Sequence, residues 1–126
     1  MSNEEKIIKQ VTQFLRGGDN SDLEMLDEAL HDKYSNVQNG FFGEKGVYVI
    51  DKEKYCSLIS DKIFGGIPRK MDVNSIDIEG DIAMVKVSLQ SKELNFKSFI
   101  SLVQMEDLSW KVIGNFPHVV PNHEMV

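Results

Sequence analysis

The sequence predicts an α+β fold in which a bent antiparallel sheet is covered by helices that precede it in the chain. The first observation is that residues 73–116 form four apolar-rich runs, each separated from the next by two to four polar residues. Runs joined so closely pair as antiparallel neighbours, because a parallel return needs a crossover of about a dozen residues. The second is that apolar residues before Arg69 recur mostly at helical spacing, which predicts the helical cover.

Length, charge and cysteine content narrow the class of protein. The 126 residues fit one domain, 1–126, with a core of its own. The net charge of −6 at pH 7 argues against nucleic-acid and anionic-membrane partners, because both need a basic face. Cys56 is the single cysteine, so no internal disulfide forms, and the polar N-terminus lacks the apolar stretch of a signal peptide. We therefore expect a cytoplasmic protein.

The first helix has a recognisable start and end. Ser2 and Glu5 have the spacing of a capping box, in which each side chain accepts a hydrogen bond from the other residue's backbone amide. An apolar stripe follows at helical spacing: Ile7, Ile8, Val11, Phe14 and Leu15. Gly17 and Gly18 predict the end, because glycine adopts the left-handed cap without strain. The helix is expected over residues 3–16.

Two further helices are predicted by their N-terminal caps. Ser21 and Glu24 repeat the capping-box spacing and are followed by a second apolar stripe, which predicts a helix over residues 22–31. Asp51 is a good N-cap for a third helix, expected over residues 52–64 and ended by a Gly-Gly-Ile-Pro stretch.

Strand signals lie on both sides of the third helix. Residues 34–42 and 47–50 are rich in aromatic and β-branched side chains and flank a glycine-containing turn, so they predict a β-hairpin. In the first run of the meander, the apolar phase changes between Val73 and Ile76. A one-residue bulge at residues 74–75 explains this change and bends the sheet.

The later strands are apolar on both of their faces. Val85 and Val87 take one face of the second run, while Ile82 and Met84 begin the other face. In the last run, Trp110, Val112 and Phe116 share one phase. In an antiparallel sheet with one solvent-exposed face, apolar and polar residues alternate regularly along each strand. These strands do not alternate in this way, so both faces of the sheet are expected to be covered in part. The helices cover one face, and a homodimer through the sheet is expected to cover the other. The alternative is a surface with scattered apolar residues.

Three stretches carry a resemblance to a known family. Residues 7–26 contain an apolar helix, the glycines of Leu-Arg-Gly-Gly-Asp and a second helix. Residues 76–87 read strand, Gly-Asp, Ala-x-Val, and residues 99–113 end with Trp-Lys-Val-Ile after a polar turn. In this order they resemble the nuclear-transport-factor-two-like superfamily, and within it the "putative lumazine-binding" family, alongside the polyketide cyclase-like branch.

The resemblance implies a shape more than an activity. It implies a cone-shaped, bent antiparallel sheet with three N-terminal helices on its concave face and an apolar pocket between them. Relatives include dehydratases, ketosteroid isomerases, transport adaptors and assembly domains, so the fold does not specify the function.

An enzyme of this shape usually places an Asp or His inside the cone, where burial raises a carboxyl pKa. Asp77 and Glu79 alternate with apolar residues and are expected on the solvent-facing side of their strand. His118 ends the last strand, which in relatives borders the pocket mouth, so it is the candidate catalytic residue. The alternative for His118 is a terminal residue that meets solvent.

No cofactor or metal site is expected. A metal would need His118, His123 and a carboxylate to converge from the C-terminal segment. The sequence indicates no base or cation placed to activate Cys56, which is expected to be an inert buried thiol. Gly65 and Gly66 lack the Lys-Ser/Thr pair of a phosphate-binding loop.

Aromatic residues are the candidate ligand-binding residues, because Tyr and Trp combine an apolar ring with a polar tip. Six of them come from elements that the fold would bring together: Tyr34, Tyr48, Tyr55, Phe99, Trp110 and Phe116. The alternative for this set is ordinary core packing.

Three functions are compatible with these residues. The first is a dimeric domain that binds a small apolar or aromatic molecule between sheet and helices. The second is an enzyme of the dehydratase, isomerase or cyclase kind, with His118 or a tyrosine as acid or base. The third is a structural or protein-interaction module.

Overall fold

A computed structural model of the chain describes residues 1–41 and 43–122. It confirms the α+β class: three helices lie against one curved sheet of six strands. The helices are α1 (Asn3–Asp19), α2 (Leu23–Ala29) and α3 (Lys52–Ser60). The strands are β1 (Leu30–Phe41), β2 (Glu44–Asp51), β3 (Lys70–Glu79), β4 (Ile82–Gln90), β5 (Leu94–Gln104) and β6 (Trp110–Pro121).

The predicted antiparallel meander is confirmed, because β3, β4, β5 and β6 pair antiparallel in sequence order. The predicted hairpin is also present, as β1 and β2, although Phe42 at its turn lies outside the described residues. The two parts join because β1 pairs with β6 in parallel, giving the strand order β2-β1-β6-β5-β4-β3. The sheet is therefore mixed and does not close.

Two bulges lie within the meander. The predicted bulge in β3 is confirmed, because the pairing with β4 shifts between Val73 and Ser75. A second one was not predicted: Leu102 pairs with Val112 and Ser101 with Gly114, so Ile113 is the extra residue on β6. An extra residue reverses which face later side chains occupy. Simple alternation predicted that Phe116 shares a face with the buried Val112. Because of the extra residue, Phe116 lies on the opposite face.

Helix α1 is longer than predicted. The capping box at Ser2 is present, but the helix continues through Gly17 and Gly18 to Asp19. Gly17 serves close packing instead of termination. A Cβ on Gly17 would lie 3.0 Å from Cγ of Leu26, so a side chain there would push α2 away from α1.

The other helices also differ at their ends. Asp22, and not Ser21, caps α2, and its carboxylate accepts a hydrogen bond from the backbone amide of Met25 at 3.1 Å. The helix ends at Ala29, where strand β1 begins. Asp51 caps α3 as predicted and accepts from the amide of Lys54 at 2.8 Å. That helix ends at Ser60, four residues early, because the chain turns at Lys62, which has a φ of +63°.

The core lies between the helices and the concave face of the sheet. It contains the inward residues of the central strands, among them Val85, Val87, Ile100 and Leu102. From the apolar stripe of α1 it includes Ile7, Val11, Phe14 and Leu15, whereas Ile8 is half-buried outside it. Trp110 is fully buried near the start of α1, where its indole N–H donates to Oδ1 of Asn3 at 3.2 Å. Across residues 1–41 and 43–122, no helix has the length and apolar character needed to cross a membrane.

Candidate functional site

The structure separates the six aromatic residues chosen from the sequence. Tyr34 and Tyr55 are buried on the concave side, and Tyr48 lies half-buried near them. Trp110 is also inside the core, but it packs near the start of α1. Phe99 and Phe116 are register partners on the outer face of the sheet, where they are 47% and 56% exposed.

Six aromatic rings form a continuous row from the core to the surface, which we call the ring row. Its members are Phe14, Tyr34, Tyr55, Phe64, Phe41 and Tyr48. Tyr34 and Tyr55 meet edge to face with centroids 5.3 Å apart, and Phe41 and Tyr48 lie 5.2 Å apart at the half-buried end. These spacings are within the 4.5–7 Å range of favourable ring pairs. The row comes from α1, α3, the loop after α3 and the β1–β2 hairpin.

Three side-chain amides lie beside the ring row, and we call them the carboxamide chain. Asn36 and Asn115 are register partners on β1 and β6, and Asn115 also pairs with the buried Ile100, so both face the core. Asn115 Nδ2 donates to Asn36 Oδ1 at 3.0 Å, and Asn36 Nδ2 donates to Gln38 Oε1 at 2.5 Å. Sequence reasoning missed these residues. The available signal was that Asn36 and Gln38 share the strand phase of Tyr34.

Asp19 is the buried carboxylate of this region, with its side chain only 3% exposed. It is held by two arginines, which we call the arginine clamp. Arg69 Nε contacts one carboxylate oxygen at 2.5 Å, and Arg16 contacts the other at 3.0 Å. The guanidinium of Arg69 also stacks over the ring of Phe96, 4.9 Å from its centroid. Sequence reasoning missed the clamp because the predicted helix ended at residue 16, which placed Asp19 in the link after it.

Both buried tyrosines keep their protons near neutral pH. Burial raises the pKa of Tyr55 to about 12, although the positive charge of Arg69 opposes this. Burial also raises the pKa of Tyr34 well above its usual value, and the neighbouring Tyr55 adds to this effect. The two hydroxyls therefore stay protonated near neutral pH and do not serve as bases.

The raised pKa of Tyr55 predicts a loss of stability in alkaline solution. Below pH 10 both the folded and the unfolded chain hold this proton, so the stability is fully present. Between about pH 10 and 12 only the unfolded chain releases it, and the free energy of unfolding falls by about 3 kcal/mol. Urea unfolding at a series of pH values measures this fall. Tyr55→Phe should show a smaller one, and an equal fall in both proteins would contradict the assignment.

Among the remaining titratable candidates, His118 and Asp77 lie away from the ring row, whereas Cys56 follows Tyr55 on α3. His118 is exposed on the outer face and pairs in register with Lys97. Burial raises the pKa of the Cys56 thiol, which lowers its reactivity. Asp77 is exposed on β3, as expected. His123 lies outside the described residues, and in the part that is described no cluster of three or more His, Cys, Asp and Glu side chains could hold a metal ion.

Two surface clefts lie outside the concave side. The larger one, about 410 Å³, is on the outer face of the sheet. The side chains along it include Val37, Met84, Phe99 and Phe116. The smaller one, about 230 Å³, lies between the first turns of α1 and the β5–β6 turn, next to Lys6.

Comparison with known proteins agrees with this architecture. The family model described as "Putative lumazine-binding" matches residues 2–116. Among solved structures, an NTF2-like protein of unknown function from Shewanella baltica OS155 is 19% identical, with 94% of each chain covered and a TM-score of 0.80. One from Silicibacter pomeroyi DSS-3 is also 19% identical, covering 95% of this chain and 100% of that one at a TM-score of 0.79.

A third similar structure is a ketosteroid isomerase-like protein from Erwinia carotovora atroseptica SCRI1043. It is 13% identical, with 93% of this chain and 92% of that chain covered, at a TM-score of 0.68. At these identities the similarity shows the fold alone. None of the curated proteins is similar enough in sequence to match.

Proposed function

Since this chain belongs to the family described as putative lumazine-binding, with the nuclear-transport-factor-two-like fold, we propose that it is a binding domain for a small aromatic molecule. The ligand lies between the sheet and the helices, at the half-buried end of the ring row. The observation that carries the proposal is the convergence of this row with the carboxamide chain. Ligand sites combine apolar and aromatic walls with a few polar groups in this way.

The ionisable side chains that the structure describes near the ring row favour binding over catalysis, because none of them is available as a general base. A general base needs a pKa near the working pH, whereas the two buried tyrosines hold their protons. Asp19 is the one buried carboxylate among residues 1–41 and 43–122, and both of its oxygens face arginines. His118 lies on the opposite face of the sheet.

Equilibrium dialysis against 2-methoxynaphthalene tests the proposal, because this bicyclic ring has no hydrogen-bond donor and reports on ring packing alone. Lumazine, named in the family's description, is the second probe. We expect saturable binding of the naphthalene, and Tyr48→Ala should weaken it about tenfold by removing one wall ring. His118→Ala is the control and should bind as the unchanged protein does. Absence of saturable binding to both probes would reject the proposal.

We also propose that the protein is a homodimer through the outer face of the sheet. The exposed side chains Ile82, Met84, Phe99 and Phe116 form an apolar centre on β4, β5 and β6. Asp77 and Glu79 lie on the β3 side of this centre, and Lys86, Lys97 and His118 lie among its strands. A two-fold axis places the acidic edge of one copy against basic residues of the other, so the surface complements itself.

Phe116→Glu is expected to convert the dimer to a monomer, because it places a charge in the apolar centre of the interface. Sedimentation velocity at micromolar concentration measures the change. Ile63→Glu is the matched control, since Ile63 is exposed to a similar extent, 50%, but follows α3. A monomeric mass for the unchanged protein would reject the proposed dimer.

A cytoplasmic location is part of this proposal. Its support is Cys56, a lone half-buried thiol that forms no disulfide. Unpaired cysteines are typical of reducing compartments.

A further inference from the structure

The carboxamide chain has a direction that is imposed at one of its ends. Gln38 Nε2 donates to the backbone carbonyl of Gly40 at 3.3 Å, and a carbonyl oxygen only accepts hydrogen bonds. Gln38 must therefore turn its own oxygen towards Asn36, which donates to it through Nδ2. The orientation of the first amide thus determines the orientation of the second.

Asn36 passes this orientation on to Asn115. With its nitrogen engaged by Gln38, Asn36 presents Oδ1 to its other neighbours. That oxygen accepts from Asn115 Nδ2 at 3.0 Å and from the Tyr34 hydroxyl at 3.5 Å. The nitrogen of Asn115 is therefore also committed. Its oxygen, Oδ1, is shielded from solvent and has no hydrogen-bond partner among the described residues.

A buried acceptor without a donor raises the free energy of the fold until a donor reaches it. The donor that fits here is uncharged. A cation would need a carboxylate, and the oxygens of Asp19 are already held by the arginine clamp. An anion would meet the negative end of the Asn115 amide. A neutral N–H or O–H group on an aromatic ring satisfies both the acceptor and the rings beside it.

We propose that Asn115 Oδ1 is the specificity-determining acceptor of this site, and that its ligand is an uncharged aromatic molecule with an N–H or O–H donor. The inference rests on the proposed function, because the donor is carried by a ring that packs in the ring row. Gln38 and Asn36 are positioning residues: they hold the Asn115 oxygen towards the ligand. Since that oxygen is enclosed, a ligand that reaches it must displace side chains that cover it in this structure.

A matched pair of ligands tests this inference. 2-Naphthol carries one hydroxyl donor, and 2-methoxynaphthalene has the same ring with the donor blocked. Equilibrium dialysis of the full chain should show that 2-naphthol binds about tenfold more tightly. Equal affinities for the two naphthalenes would overturn the inference, and would be expected if a water molecule already donates to Asn115 Oδ1. The proposed function would stand in that case. If neither naphthalene binds, the site does not take this class of ligand, and the inference is overturned together with the proposed ring packing.

Three variants identify the acceptor. Asn115→Ala should abolish the preference for 2-naphthol while the affinity for 2-methoxynaphthalene stays within about twofold. Gln38→Met removes the amide that orients Asn36, which in turn orients Asn115. This substitution should therefore reduce the preference for 2-naphthol, although Asn115 itself is unchanged. Asn39→Ala is the control, because Asn39 is an exposed carboxamide on the same strand that does not belong to the chain. Tryptophan fluorescence of Trp110 verifies that each variant is folded. A preference that persists in folded Asn115→Ala would overturn the assignment.

Discussion

Asp19→Ala is expected to lower the free energy of unfolding by about 3–5 kcal/mol, the usual consequence of breaking a buried ion pair. The carboxylate is almost completely buried and neutralises Arg69, whose side chain is only 15% exposed. Without it, the guanidinium keeps its charge but has lost its counter-ion. Arg16 loses the same partner, and its second hydrogen bond, to the backbone carbonyl of Arg69 at 2.7 Å, is then weakened. Urea unfolding followed by Trp110 fluorescence measures the effect.

Asp27 provides the control for this prediction. Asp27 contacts Lys52 at 2.9 Å, a distance comparable to those of the arginine clamp, but its side chain is 79% exposed. Water already screens that pair, so Asp27→Ala should change the stability very little. If the two substitutions destabilise the protein equally, burial does not explain the importance of Asp19. A second measurement in concentrated salt should weaken the Asp27 pair and leave the clamp almost unchanged.

Gly65→Ala is expected to destabilise the fold by about 3 kcal/mol, through a backbone clash combined with an unfavourable φ. A Cβ on Gly65 would lie 2.2 Å from the carbonyl oxygen of Gly18, and Gly65 has a φ of +70°. Its neighbour Gly66 donates its backbone N–H to the same oxygen at 3.0 Å. The loop after α3 therefore rests directly on the end of α1, and a methyl group would separate them.

Gly80→Ala separates the two contributions to this loss. Gly80 also has a positive φ, +57°, but a Cβ there would meet no atom within 4 Å. Its substitution should cost only about 1 kcal/mol, the backbone contribution alone. Urea unfolding of both variants gives the comparison. Equal losses of stability would show that the clash with the carbonyl oxygen of Gly18 does not contribute to the effect of Gly65→Ala. Because Gly65 directly follows Phe64 of the ring row, Gly65→Ala should also weaken 2-methoxynaphthalene binding, which Gly80→Ala should leave unchanged.

The candidate site was predicted from the sequence only in part. Tyr34, Tyr48 and Tyr55 do lie together on the concave side, but Phe99 and Phe116 lie on the outer face. Phe116 was assigned to the phase of Val112, and the extra residue at Ile113 reversed that phase. Asparagine in a strand is a weak signal, because it is as compatible with an exposed edge as with a buried pair. Asn36 and Asn115 acquire their role only when two strands 79 positions apart pair in register.

The sequence by itself determined what depends on neighbours along the chain. The caps at Ser2 and Asp51, the order of the strands in the meander and the bulge in β3 all follow from residues a few positions apart. Only the tertiary structure decided the parallel pairing of β1 with β6, the burial of Asp19 and the direction of the carboxamide chain. These depend on contacts between distant segments. Whether a polar side chain is exposed or buried among partners is determined by those contacts and not by its own spacing.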